Sequence, residues 1–211
     1  MRCRSRFAGA LLGLLLSGCP SLATRQTANP IPPGEWELLA GVDGALYRDV
    51  EQDTRVPSAV VELGARHGVV KDIDAHVKLY TFGAQLGGKW RFHTGTWPAA
   101  VAPALDVARV NETQVTTDSL NLFAHLPWII GHQLSRSVGL HFGPELLYGY
   151  YLPNTGGEAH GLSVGGFGLL EISLSERWAI LPELSLRRSV AGDVPVVGWI
   201  AALGSGLSWK L

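Results

Sequence analysis

His125, His141 and Glu145 come nearest to chemistry in this sequence. In an extended chain successive side chains point to opposite faces, so His141 and Glu145, four residues apart, share one face. An imidazole beside a carboxylate can move a proton as a general base. No nucleophile accompanies them, because the serines fall mainly in turns and near strand ends. His67, His93, His132 and His160 are scattered over connections and strand ends, without metal-ligand spacing. The stretch GLSVGGFGLL (161–170) has the glycines of a phosphate loop, but no helix follows and no Lys stands in place. It reads instead as a strand of small residues. No catalytic residue, cofactor or metal is assigned, and the chain is read as a non-enzyme. A barrel enzyme acting on lipid or peptide at the cell surface through His125, His141 or Glu145 stands as an alternative.

The remaining reactive group is the thiol of Cys19. Arg2, Arg4 and Arg6 precede an apolar run from Phe7 to Leu16 and the small residues Ser17 and Gly18, the order of an export signal. The run is about half of the ~20 residues a transmembrane helix needs. Leu16-Ser17-Gly18-Cys19 resembles the lipobox of bacterial lipoproteins. That resemblance implies removal of residues 1–18 and a diacylglycerol on Cys19. Ser21-Leu22-Ala23 offers a second cleavage pattern, with small residues at minus three and minus one. Cys3 leaves with the leader, so no cysteine pair survives, and losing the three Arg shifts the formal charge from −1 to −4. Nucleic acid is not an expected partner. Residues 19–34 are expected to be a lipid-anchored, Pro-rich, extended tether.

From Glu35 onward the hydrophobic period is two. In Ile73–Tyr80, Ile73, Ala75, Val77 and Leu79 oppose Asp74, His76, Lys78 and Tyr80; in the next stretch Leu86, Trp90 and Phe92 oppose Gln85, Lys89 and Arg91. Ten such strands are expected, at 35–47, 57–67, 73–81, 83–93, 98–109, 120–132, 138–151, 161–174, 178–188 and 197–211, with eight as the alternative count. Short turns (68–74, 133–139, 173–179) alternate with longer polar loops (48–56, 110–119, 152–160, 189–196), as in a transmembrane barrel. The connection HTGTWP and the short 81–83 hairpin fit that alternation less well.

A soluble lipocalin-like barrel binding a hydrophobic ligand would alternate too, with its apolar face inward. The apolar rows here carry no central charge, Arg109 and Arg188 lying only at strand ends. A Lys or Arg facing lipid costs about 2–4 kcal/mol at the midplane and about 0–1 near the interfaces. Trp36, Trp90, Phe92, Trp178 and Trp209 fall near one end of their strands and Tyr148, Tyr150 and Trp199 near the other, as two interfacial belts would. The last strand alternates to the terminus, with Trp209 and Leu211 outward. This is similar to the C-terminal strand that the outer-membrane assembly machinery reads, though those typically end in Phe or Trp. Residues 35–211 therefore resemble the outer-membrane β-barrel class: all-β, up-and-down, antiparallel and transmembrane. The resemblance implies the outer membrane of a Gram-negative bacterium, membrane lipid as partner, a periplasmic N-terminus and a monomer.

The inward rows carry the charges. Glu37, Arg66, Asp74 and Arg91, on strands one to four, alternate in sign near one rim, and Lys210 is expected beside Glu35 or Glu37. A ring of cross-strand ion pairs would plug the lumen of a barrel this narrow. The function expected is a structural, surface or small-solute role.

Overall fold

The computed structural model describes residues 23–49, 54–111, 118–154, 156–192 and 199–211. Its strands are β1 (Trp36–Asp49), β2 (Thr54–Val70), β3 (Ile73–Tyr80), β4 (Gly83–His93), β5 (Ala99–Val101), β6 (Ala104–Asn111), β7 (Asp118–Gln133), β8 (Val138–Pro153), β9 (Ala159–Ser173), β10 (Trp178–Gly192) and β11 (Ile200–Lys210). Apart from β5 and β6, each pairs antiparallel with its chain neighbours, and β1 pairs with β11 from Glu37↔Lys210 to Tyr47↔Ile200. That last pairing turns the sheet into a tube, leaving no free edge. β5 and β6 lie end to end between β4 and β7 and share one place in the wall, so the barrel has ten staves. Ala102 and Pro103 make the break, because Pro has no N–H to give to a ladder. The single strand expected over 98–109 is thus divided.

The period-two pattern places the side chains. Val61, Leu63, Val77, Leu79, Leu86, Leu105, Leu184 and Leu203 stand exposed on the outer surface. Glu37, Asp43, Glu62, Arg66, Asp74, Lys78, Lys89, Asp106, Glu145, Glu183 and Arg187 are buried inside. At one end the turns are short: Lys71 and Asp72 join β2 to β3, and Leu134 and Leu174 open matching turns whose N–H groups reach Val138 O and Trp178 O. The same end carries Trp36 stacked on His67, Trp97 on His132 and Trp178 on Trp209. At the other end β2, β8, β9 and β10 run two to four residues past their expected limits. Outside an apolar layer both faces of a hairpin meet water, so pairing continues where the hydrophobic alternation has stopped.

The largest departure from expectation is residues 23–34. This part of the expected extended tether runs up the lumen of the barrel, with Ala23, Arg25, Gln26, Thr27, Ala28 and Ile31 all buried. It leaves at the short-turn end, where Gly34 N–H donates to Gly68 O and Glu35 N–H to Pro32 O. Gly34, at φ +83°, then takes the left-handed conformation that turns the chain back into β1. No helix among the described residues is long and apolar enough to cross a membrane.

Candidate functional site

The lumen is occupied by this N-terminal segment, and its side chains fall into layers. Nearest the short turns, Asp74 is shared by Lys89 Nζ at 3.0 Å and Arg66 Nη2 at 3.5 Å, while Arg66 Nη1 stands 3.4 Å from Glu37. The segment enters this layer through its backbone. Ile31 N–H donates to Asp74 Oδ2 (3.0 Å), and Lys89 Nζ donates to Thr27 O (3.1 Å) and Asn29 O (2.9 Å). An extended strand inside a barrel has no neighbouring strand to pair with. Lumen side chains supply the hydrogen bonds that its buried N–H and C=O groups require.

Halfway along, Arg25 takes the place of a counter-ion. Its Nη2 lies 2.5 Å from Asp43 Oδ1 and 2.9 Å from Val42 O, and its Nη1 is paired with Glu62. Glu62 also meets Lys78 Nζ at 3.3 Å, and Lys78 Nζ donates to Ala23 O at 2.6 Å. Three wall glycines make the space: a Cβ at Gly41, Gly204 or Gly206 would strike the Arg25 side chain. Gly131 does the same for Ala28, and Gly68 for Pro32. Gly41 pairs with Gly206, and Asp43 with Gly204, across the β1–β11 closure. Arg25 therefore sits on the inner side of the line where the barrel closes.

On the facing wall His125 is held between two carboxylates. Its Nδ1 is 3.1 Å from Glu145 Oε1, and its Nε2 lies against Asp106 without hydrogen-bond alignment. Glu145 is clamped by Arg187 through Nε (2.8 Å) and Nη2. The His141/Glu145 pair drawn from sequence does not form: Glu145 meets His125, and both ring nitrogens of His125 already face carboxylates in a packed interior. Neither is free to take a proton from a substrate. His141 serves the segment: its Nδ1 accepts from Ala28 N–H (3.1 Å), and its Nε2 stands 3.2 Å from Glu171. Beyond this layer, toward the long loops, Ala45, Val60, Tyr80, Ala108, Phe123, Leu147 and Ala202 form an apolar cluster. Among the described residues no group of His, Cys, Asp and Glu is arranged to hold a metal.

The five charges picked from sequence are distributed as follows. Glu37, Arg66 and Asp74 come together as one connected cluster. Arg91 does not join it: its guanidinium pairs with the turn residue Asp72 at 2.5 Å, and Lys89, one pleat deeper on the same face, takes Asp74. Lys210 is opposite Glu37 in register, but its ammonium points to Glu171 at 3.9 Å on the half-exposed rim. Sequence reasoning missed Arg25. Cys19 lies outside the described residues.

These features decide the architecture. The fold is that of a closed outer-membrane β-barrel. An outer membrane channel from Pseudomonas putida F1 has a similar structure, with a TM-score of 0.52, 9% identity and coverage of 87% of this chain and 98% of that one. Neisserial surface protein A gives a TM-score of 0.49 at 10% identity, over 83% of this chain and 97% of its own. Ail, the attachment invasion locus protein of Yersinia pestis, gives 0.47 at 9%, over 85% and 99%. No protein-family model and no curated protein matches the chain.

Proposed function

We propose that this protein is a monomeric outer-membrane barrel closed by its own N-terminal segment, with a structural or surface role at its long-loop end and no open path for solutes. Burial of Arg25 between Asp43 and Glu62 inside the tube carries this reading. A charge so enclosed is stable only while its partners are present, so the segment belongs to the folded state. The membrane location rests on the outward apolar rows and on the aromatic belt. Trp36, Trp90, Phe92 and Trp178 stand exposed near the short turns, and Tyr148 and Trp199 near the long loops, where Arg188 lies 5.5 Å over the Trp199 ring. The outward Leu203, Leu207 and Trp209 of β11 are the surface through which the assembly machinery would take the chain.

Planar-bilayer recording tests the closure. The unmodified protein should show no large steady conductance, and replacing residues 25–31 by a flexible Gly/Ser stretch of equal length should produce one. A large steady conductance in the unmodified protein overturns the reading. So does a Gly/Ser variant that stays as closed as its parent.

A further inference from the structure

Glu183 is the buried carboxylate that the ion pairs leave out. It is 3% exposed, and among the described residues no Lys, Arg or His forms an ion pair with it. Its three hydrogen bonds all come from two consecutive residues of the segment: Thr24 N–H (2.8 Å) and Thr24 Oγ1 (3.0 Å) to Oε1, and Arg25 N–H (2.6 Å) to Oε2. Among the described residues Asp43 pairs with Arg25 and Glu62 with Arg25 and Lys78, and neither cation forms an ion pair with Glu183. Glu183 thus has no ion-pair partner among the described residues, and a buried anion without one is costly.

One of the two backbone nitrogens bonded to Glu183, that of Thr24 at 2.8 Å, belongs to the Ala23–Thr24 peptide bond, which is also the bond that the Ser21-Leu22-Ala23 pattern marks for an export peptidase. Two independent observations, the small residues before that bond and the carboxylate waiting behind it, meet on one atom.

We propose that the chain is cut between Ala23 and Thr24, and that the new α-ammonium of Thr24 is the counter-ion of Glu183. A signal peptidase adds water across the bond. The C–N bond breaks, Ala23 leaves as a carboxylate with the leader, and the Thr24 nitrogen takes up protons to become an ammonium. Glu183 then has a cation of its own. Lys78 gives up Ala23 O as an acceptor and keeps Glu62. The inference rests on the plugged-lumen reading, because Thr24 reaches Glu183 only with the segment inside.

Geometry separates this route from lipidation of Cys19. Four residues span at most about 14 Å, and Ala23 is enclosed at 7% exposure. A diacylglycerol on Cys19 would be confined to that radius around the lumen, away from the periplasmic leaflet. An anchored Cys19 and a seated segment compete for the same few residues.

The test is the intact mass and N-terminal sequence of protein purified from outer membranes. A chain of residues 24–211 with a free amine supports the proposal; an acylated Cys19, or any other first residue, overturns it. Conductance then reports on the plug separately, so failure of the cut and failure of the plug are told apart. The seat is tested by an amine-reactive acylating reagent on folded and on urea-unfolded protein. Burial on Glu183 should slow modification of the Thr24 amine at least about tenfold in the folded state, and Glu183→Gln should remove much of that protection. Equal rates folded and unfolded in the parent protein overturn the ion pair, even if Glu183→Gln fails to fold.

Discussion

Arg25→Ala is the most informative substitution in this protein. The Arg25 side chain is 1% exposed and its partners Asp43 and Glu62 are 6% and 0%, so solvent screening does not weaken the loss. Exposed pairs contribute about 0–1 kcal/mol, whereas removing one partner of a buried pair costs about 3–5 kcal/mol because an uncompensated charge stays behind. Glu62 keeps Lys78 at 3.3 Å, but the Oδ2 of Asp43 already has no hydrogen-bond partner, so Asp43 is the group left stranded. The expected loss is therefore about 3 kcal/mol, roughly a hundredfold in the unfolding constant. Urea unfolding in detergent micelles, followed by the mobility shift between folded and heated barrel on gels, measures it. Arg25→Ala with Asp43→Asn should recover at least half of the loss, since the stranded charge is then gone. A loss below ~1 kcal/mol for Arg25→Ala, or no recovery in the double variant, would refute the argument that Arg25 is a buried counter-ion.

Three further outcomes follow from the same geometry. Gly41→Ala puts a methyl group where the Arg25 guanidinium lies and should cost stability comparable to Arg25→Ala in the same gel assay, while Gly168→Ala, whose Cβ would meet nothing within 4 Å, should be close to neutral. Ala28→Cys with Gly131→Cys should form a disulfide in the exported protein, read as a mobility change that reductant reverses. A Cβ at Gly131 would stand 2.8 Å from that of Ala28, and a slight relaxation reaches the usual ~3.8 Å. Leu63→Arg, on a position 60% exposed midway along the outer wall, should lower stability by about 2–4 kcal/mol in lipid vesicles. The same change at a water-facing position would cost little, so an unchanged midpoint would place that face in water.

The strands were legible because each has one apolar face and one ionisable face, and the strict alternation of Ile73–Tyr80 appears in the structure residue for residue. Strand ends were less legible, because pairing continues past the apolar rows. Arg91 and Lys89 lie on one face of β4, and counting from a strand end cannot say which is deep enough for Asp74; the β3–β4 register sets Lys89 directly opposite it. The segment 23–34 was illegible for a different reason. A chain that fills a polar lumen needs polar side chains and no period, so Thr24, Arg25, Gln26 and Thr27 look like a solvated linker. The available signal lay in the wall: Gly41, Gly204 and Gly206 keep an inward strip of two adjacent staves without side chains, a space that something else has to fill.

That strip has a consequence for how the molecule comes together. β1 and β11 are the first and last staves in chain order, and their pairing turns the sheet into a tube. Arg25 bears on both, through Gly41 and Asp43 on one side and Gly204 and Gly206 on the other. An occupant added after closure would have to carry a guanidinium through a filled lumen, whereas one present beforehand can be wrapped as the two strands meet. On the proposed reading the segment would be a template for the joint as well as a stopper for the bore, with the first and last strands fastened to each other by a residue that belongs to neither.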